Sequence, residues 1–350
     1  MTLASRAATA VLAGDLGGTK ILLELSSADS PTVLHSARYA ADRHADFPAV
    51  LRVFLAEHAA AGAAAPRILG ACFGVAGPVS GRRVKFTNLP WVLDADALEH
   101  AFAIGQVALV NDFVAAVHGI DDLPPQGLKQ LQAGEPLAHG TRLVLGAGTG
   151  FGAAHAVWAG EGYRANAGES GHAGFAPADE AQGALWQDVF HREGRVSVEH
   201  IVSGAGLLRI YEHLHRNASI AESAELREAL AAGGGPAVIS MHALDGGDTL
   251  ALAALDLFIA CYGSAAGDLT LGLMARGGVY VAGGIAAKIL PRLAAGAFGA
   301  AFEAKGVQRA LMGRFPLHVV TDPRLPLLGA RRLALAGAAA SGATPGPQQA

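Results

Sequence analysis

The feature that most restricts the fold is a strand, a glycine turn and a second strand that occur twice, roughly 130 residues apart. The first copy is Val11 to Asp15, then Gly17-Gly18-Thr19, then Ile21 to Leu25. The second is Arg142 to Leu145, the loop Gly146-Ala-Gly-Thr-Gly-Phe-Gly152, then Ala153 to Trp158. Short apolar runs bounded by glycine read as strands joined by tight turns. Such a repeat implies two related α/β halves, and 350 residues suit two domains at about 150 residues each. The best linker in the first half is Leu123-Pro124-Pro125-Gln126-Gly127. We therefore expect a small α/β domain over 1–122, completed by a C-terminal helix near 325–340, and a large α/β domain over 123–324. The Ala/Gly/Pro/Gln tail, 341–350, is expected to fray.

Other elements follow from local signals. Asp46 can cap a helix in which Val50, Leu51, Phe54, Leu55 and His58 recur at helical spacing. Ile68 to Ala76 reads as a strand closed by Gly77-Pro78-Val79-Ser80-Gly81, with Arg82 to Phe86 returning as its hairpin partner. Asp94 caps a helix to about Ala103, and Val107 to Val110 is a buried strand. Ser203 to His215, Leu250 to Gly267 and Leu327 to Ala339 read as helices. Val279 to Ala282 is a last core strand, followed by Gly283-Gly284 and a helix from Ala286.

Composition removes several functional classes. A hydrophobic fraction of 51% and a charged fraction of 16% exclude bulk disorder. Lys+Arg 26 against Asp+Glu 30 gives a net charge of −4, without the basic footprint of a nucleic-acid partner. Cys72 and Cys261 lie far apart in apolar runs and read as buried thiols of a reducing compartment, too few for a zinc site. Met1 to Ala10 holds no apolar core of signal-peptide length. The apolar stretch Leu250 to Gly267 carries Asp256 near its middle, which fits a packed helix better than a membrane span. The expectation is a cytoplasmic protein with no membrane partner.

Chemistry-bearing residues concentrate at the turns. Glycines without Cβ let backbone N–H groups converge on an anion, and the Thr19 hydroxyl adds a donor. Asp15 beside such a phosphate nest requires a cation between them, typically hydrated Mg²⁺, so it is a candidate indirect metal ligand through water. An ordinary hairpin turn would look the same. Gly148-Thr-Gly150-Phe-Gly152-Ala153 fits the loose dinucleotide pattern, but that fingerprint requires a helix next. Here the strand meets Gly160-Glu-Gly162 and reads as a hairpin, which argues against a nicotinamide cofactor. Neither loop carries the Lys-Ser/Thr of a Walker motif.

Asn111-Asp112 stands where a strand gives way to a helix, and ligands collect at the carboxyl ends of open sheets. Asp112 at a helix N-terminus stays ionised and can accept a proton from a substrate hydroxyl. A plain helix cap is the other reading. Glu169 and His172, three apart in a flexible polar loop, suit paired hydrogen bonds to neighbouring sugar hydroxyls; a loop with a stray Glu and His is the other reading. Glu199 in isolation reads as a solvated helix residue. No H-E-x-x-H spacing and no G-x-S-x-G elbow occurs.

In order along the chain, Gly14-Asp-Leu-Gly-Gly-Thr19, Thr87-Asn88-Leu-Pro-Trp91, Val110-Asn-Asp-Phe113, Gly146-Ala-Gly-Thr-Gly150, Gly168-Glu-Ser-Gly-His-Ala173, Val196-Ser-Val-Glu199, Ser203-Gly-Ala-Gly206 and Ala282-Gly-Gly-Ile285 resemble the bacterial glucokinases of the hexokinase/actin-like ATPase superfamily. The likeness spans roughly 11–335. It implies two RNase H-like domains flanking a cleft that takes ATP and sugar. It implies that Asp15, Gly17, Gly18 and Thr19 form the first phosphate loop and Gly148, Thr149 and Gly150 the second. Ser203, Gly204, Gly206, Gly283 and Gly284 match the nucleotide end. Asn88, Asn111, Asp112, Glu169, His172 and Glu199 match the sugar set, with Asp112 as general base on the 6-hydroxyl of glucose. Lys20 departs from a frequent Asn, and Ser170 from a frequent Gly. ATP, Mg²⁺ and a homodimer are implied with these.

Rival readings are a hexose or amino-sugar kinase of broader range, a ROK-type kinase or repressor, and an actin-like ATPase that needs no sugar. ROK proteins usually bind zinc through clustered cysteines, which this chain lacks. Their repressors need a helix-turn-helix ahead of the first loop, where 13 residues precede Gly14. In a sugar-independent ATPase, Glu169, His172 and Glu199 would share no purpose.

Overall fold

The computed structural model describes residues 8–62, 64–86, 89–217 and 220–342. Asn88 and the tail from 343 lie outside these residues. The chain divides into two compact units, one built from the residues up to Leu123 together with those from Arg324, the other from Pro124–Pro323.

The first unit is a five-stranded sheet. Its strands are β1 (Thr9–Leu16), β2 (Lys20–Ser27), β3 (Val33–Ala40), β4 (Arg67–Val75) and, after a short ribbon of β5 (Arg83–Lys85) with β6 (Val92–Asp94), β7 (Val107–Asn111). The order is β3-β2-β1-β4-β7, with β1 to β3 antiparallel and β4 and β7 parallel to β1. Alternation along β1 sorts the residues by face. Ala10, Leu12 and Leu16 pack with Phe47, Val50 and Phe54 of the helix Phe47–Ala60, while Val11 and Ala13 pack with Leu327, Ala330 and Ala334 of the helix Leu325–Gly342. Asp46 does cap the first of these helices, its Oδ1 accepting from Ala49 N–H at 2.7 Å. The C-terminal helix lies close against the helix Asp112–Gly119, because a Cβ at Gly329 would come within 1.7 Å of the Ala115 carbonyl oxygen.

One local expectation is corrected here. Arg83–Lys85 pairs with Val92–Asp94 and not with the strand before it. That strand, β4, is already flanked by β1 and β7 in parallel, so it has no free edge for a returning hairpin.

The second unit repeats the plan. Its strands are β8 (Leu128–Gln132), β9 (Arg142–Ala147), β10 (Phe151–Trp158), β11 (Tyr163–Gly168), β12 (Gly278–Ala282) and β13 (Leu317–Val320). The order β11-β10-β9-β12-β13 has the same mixture of antiparallel and parallel neighbours, and β8 is added antiparallel at the far edge. The segment after Trp158 does form the β10–β11 hairpin, with Trp158 opposite Tyr163. The apolar helix is longer than its sequence core, running Thr249–Leu273. It is long and apolar enough to cross a bilayer, yet 72% of its most apolar window is buried inside the protein, so it is the central core helix of this unit. Its mid-helix Asp256 is neutralised by a bidentate pair with Arg292 at 2.6 Å. Both cysteines are buried free thiols, and burial pushes Cys72 up to about 12.

Candidate active site

In the first unit the glycine turn joins β1 to β2, closed by Gly17 N–H donating to the Lys20 carbonyl at 3.0 Å. Thr19 stands exposed at its tip, and its carbonyl accepts from Ala41 N–H at 3.0 Å. Asp15 lies near the end of β1, in register with Gly74 of β4, which pairs in turn with Val110. Asn111 ends β7 and caps the next helix, with Oδ1 accepting from Phe113 and Val114 N–H at 3.0 and 3.3 Å. Its Nδ2 donates to the Gly77 carbonyl at 3.2 Å, so one N–H of this amide helps to hold the strand-to-helix junction. Asp112 is therefore the first residue of the helix, where the helix field favours its anion.

Gly74, which no sequence motif marks, lies between Asp15 of β1 and the start of the Asp112 helix. A Cβ there would meet Ala115 Cβ at 3.2 Å and the Asp112 Cα at 3.6 Å. Glycine lets the start of the Asp112 helix settle onto β4 beside Asp15. The result is electrostatic: burial, and then the charge of Asp112, push the Asp15 carboxyl up to about 7.

In the second unit the turn between β9 and β10 is fastened from several sides. Gly148 N–H donates to the Gly150 carbonyl at 2.8 Å, and Gly204 N–H donates to the Gly148 carbonyl at 2.9 Å. Phe151 N–H donates to Glu199 Oε2 at 2.8 Å. That approach is possible because position 150 has no side chain: a Cβ there would lie 2.4 Å from the same oxygen. Glu199 stands in the first turn of Val198–Ile201, begun by a capping box between Ser197 and His200. This half-buried carboxylate is thus no idle solvated residue.

Glu169 and His172 flank a single turn of 3-10 helix, with side chains exposed and 4.0 Å apart. The chain beyond them is stitched to the segment before Glu199. Val198 N–H donates to the Ala173 carbonyl at 2.9 Å, Phe175 N–H to the Val196 carbonyl at 3.1 Å, and Arg195 Nη2 to the His172 carbonyl at 2.9 Å. Glu169, His172 and Glu199 are therefore brought into one neighbourhood beside the second turn.

Against the same turn is a pocket of about 460 Å³ lined by Gly148, Thr149 and Gly204 and by the apolar Leu207, Pro236 and Ile289, with Lys288 at its wall. Ser203 and Gly206 do not line it but fix the start of the helix that carries Leu207, Gly206 N–H donating to the buried Ser203 Oγ at 3.0 Å. Gly283, at φ 88°, turns β12 away from the sheet where a Cβ would lie 2.7 Å from the Ala147 carbonyl. Gly284 then opens the helix Gly284–Lys288, which begins before the expected Ala286. The apolar walls come from segments far apart in the chain, and no motif marks them. An apolar slot beside a turn of backbone N–H groups suits a flat base joined to phosphates.

A meander of three antiparallel strands followed by two parallel ones, built twice with a glycine turn at the same point, is the fold of the two-domain sugar kinases of the actin-like ATPase class. Solved structures agree. The chain is similar to a glucokinase from an Antarctic psychrotroph, 27% identical with a TM-score of 0.80, covering 93% of this chain and 98% of that one. It shares its fold with a ROK-family glucokinase from Streptomyces griseus in complex with glucose and AMPPNP, 20% identical with a TM-score of 0.61, covering 93% and 99%. The glucokinase family model matches residues 12–336. A glucokinase from Synechocystis is 37% identical over 340 residues, 91% of this chain and 96% of that protein. The chain belongs to the glucokinase family.

Proposed function

We propose that this chain transfers the γ-phosphoryl group of ATP to the 6-hydroxyl of glucose, giving glucose 6-phosphate, the entry step of glycolysis. The observation that carries the reading is the carboxylate pair of Asp15 and Asp112 on either side of Gly74, at the mouth of a glycine turn. Asp112 is the general base: it takes the proton of the 6-hydroxyl as the oxygen attacks phosphorus in line. Phosphoryl transfer asks little else of the protein than alignment and neutralised charge. Glu169, His172 and Glu199, with Asn88 and Asn111 of the sugar set, orient the sugar. The Gly17, Gly18 and Thr19 turn donates to the phosphates through Gly18 and Thr19, and the Gly148, Thr149 and Gly150 turn through Thr149 and Gly150, since Gly17 and Gly148 N–H close the turns themselves. Ser203, Gly204, Gly206, Gly283 and Gly284 shape the adenosine end.

The donor set fits a hydrated Mg²⁺. Among the described residues no three His, Cys, Asp or Glu gather to hold a metal by themselves. Mg²⁺ usually keeps several waters and is shared with substrate phosphates. Asp15 would hold it through water, and the ion would neutralise charge on the transferring phosphoryl group. Burial of both thiols supports a reducing, cytoplasmic setting. A homodimer is carried over from the family resemblance, and sedimentation velocity reads it directly.

The test is a coupled assay over several hexoses, amino sugars and phosphoryl donors. Glucose with ATP gives the highest kcat/KM. Equal rates on an amino sugar would make it a broader hexose kinase. ATP turnover indifferent to sugar would make it an ATPase of the same fold.

A further inference from the structure

Nothing in the motif pattern concerns Tyr262, which lies in the middle of the apolar core helix and is fully buried. Its hydroxyl accepts from Ala147 N–H at 3.0 Å. Ala147 is the last residue of β9, and β12 pairs with that strand only as far as Gly146 opposite Ala282. The ladder stops there, and the next N–H along β9, that of Ala147, is met by the tyrosine hydroxyl. The ring of Tyr262 also lies edge-on to that of Phe151, with centroids 6.2 Å apart, and Phe151 faces Ala147 across the turn. One side chain thus bears on both ends of the segment 148–150.

We propose that Tyr262 is a positioning residue for the nucleotide: through Ala147 it sets the backbone of the second glycine turn so that its amides meet the ATP phosphates. The inference rests on the kinase reading above. Glu199 fastens the Phe151 side of the same turn from the sugar set, whereas Tyr262 fastens the Ala147 side from the core. Loss of the Tyr262 hydroxyl therefore acts on nucleotide and leaves sugar alone. Burial also raises the phenol far above its ordinary value, so the group stays neutral throughout the working pH range.

The experiment compares Tyr262→Phe with Phe298→Leu, which thins the same aromatic cluster (Tyr262 and Phe298 centroids lie 5.4 Å apart) without touching the turn. KM for ATP and for glucose, kcat, AMPPNP affinity by calorimetry and Tm are measured for each. In Tyr262→Phe one buried N–H is left unpaired, and KM for ATP rises about tenfold while KM for glucose stays within about twofold. Phe298→Leu lowers Tm and leaves KM for ATP unchanged. Wild-type ATP and AMPPNP constants in Tyr262→Phe, or the same ATP shift in both variants, overturn the inference. Absence of glucose phosphorylation in the wild-type chain overturns the functional reading instead, and AMPPNP affinity still decides the role of Tyr262.

Discussion

The two glycine turns are the same device in two copies of one sheet, and they differ in how they are held. In the first unit Leu16 faces Ile21, leaving residues 17–20 between that pair, and the turn is held by two backbone bonds, Gly17 N–H to the Lys20 carbonyl and Ala41 N–H to the Thr19 carbonyl. In the second unit Ala147 faces Phe151, leaving only 148–150, and the turn is tied to Gly204, Glu199 and Tyr262. The looser turn stands beside the paired carboxylates, and the braced one stands beside the apolar pocket. The difference separates two tasks. On the function proposed above, charge that answers to a cation and a proton is placed on one copy, and fixed backbone geometry is placed on the other. Preorganised amides are worth most when they need not move during reaction.

Four outcomes test this division. The largest effect belongs to Asp112→Ala, which lowers kcat by about a thousandfold, within the usual contribution of a general base. Glucose affinity by calorimetry is partly kept, and wild-type kcat in this variant would remove Asp112 from the reaction. Next is Gly150→Ala, whose Cβ would lie 2.4 Å from Glu199 Oε2 and so forces that carboxylate off Phe151. Losing this charged hydrogen bond raises KM for both substrates by about tenfold, because on the proposed reading Glu199 serves sugar and turn together. Tm changes little, since the displaced group is the end of a flexible side chain.

The third outcome concerns pH. The folded pKa of Asp15, about 7, lies above the ordinary value of 3.8 in the unfolded chain. Its contribution is fully present below the lower value and is lost as pH rises through about 7, above which both states are ionised. Without cation, then, Tm falls from pH 5 to pH 7 and levels off above. The Asp15→Asn variant lacks this component, so its Tm is flatter between pH 5 and pH 7. Calorimetry in buffers of different ionisation heat should show protons released near pH 7 when Mg²⁺ and nucleotide bind, and no release in Asp15→Asn. The smallest effect is Gly17→Ala, whose Cβ would lie 3.1 Å from the Lys20 carbonyl oxygen. A small displacement of the looser turn absorbs it, and KM for ATP shifts by less than about threefold. Equal losses in Gly17→Ala and Gly150→Ala would erase the contrast between the turns.

Much of the site is legible along the chain because its parts are local. A glycine turn between two apolar runs, Asn111-Asp112 at the end of a strand, and Glu169 three residues from His172 each show in a few consecutive residues. The structure adds what those residues spend their groups on. Asn111 turns out to cap and brace the junction, and Glu199, unremarkable alone, holds the second turn. The partner of Arg83–Lys85, the edge strand Leu128–Gln132 and the late strand Leu317–Val320 could not be read locally, since each is fixed by a neighbour distant in sequence.

The amino-acid order by itself determined where chain reversals, carboxylates and hydroxyls occur, since backbone freedom at glycine and charge at aspartate belong to the residues themselves. Only the folded core decided which of them meet. Glu199 reaches Phe151 across 48 positions and Tyr262 reaches Ala147 across 115. Such contacts exist only once a whole sheet and its central helix have packed, because no local preference of either residue specifies the other.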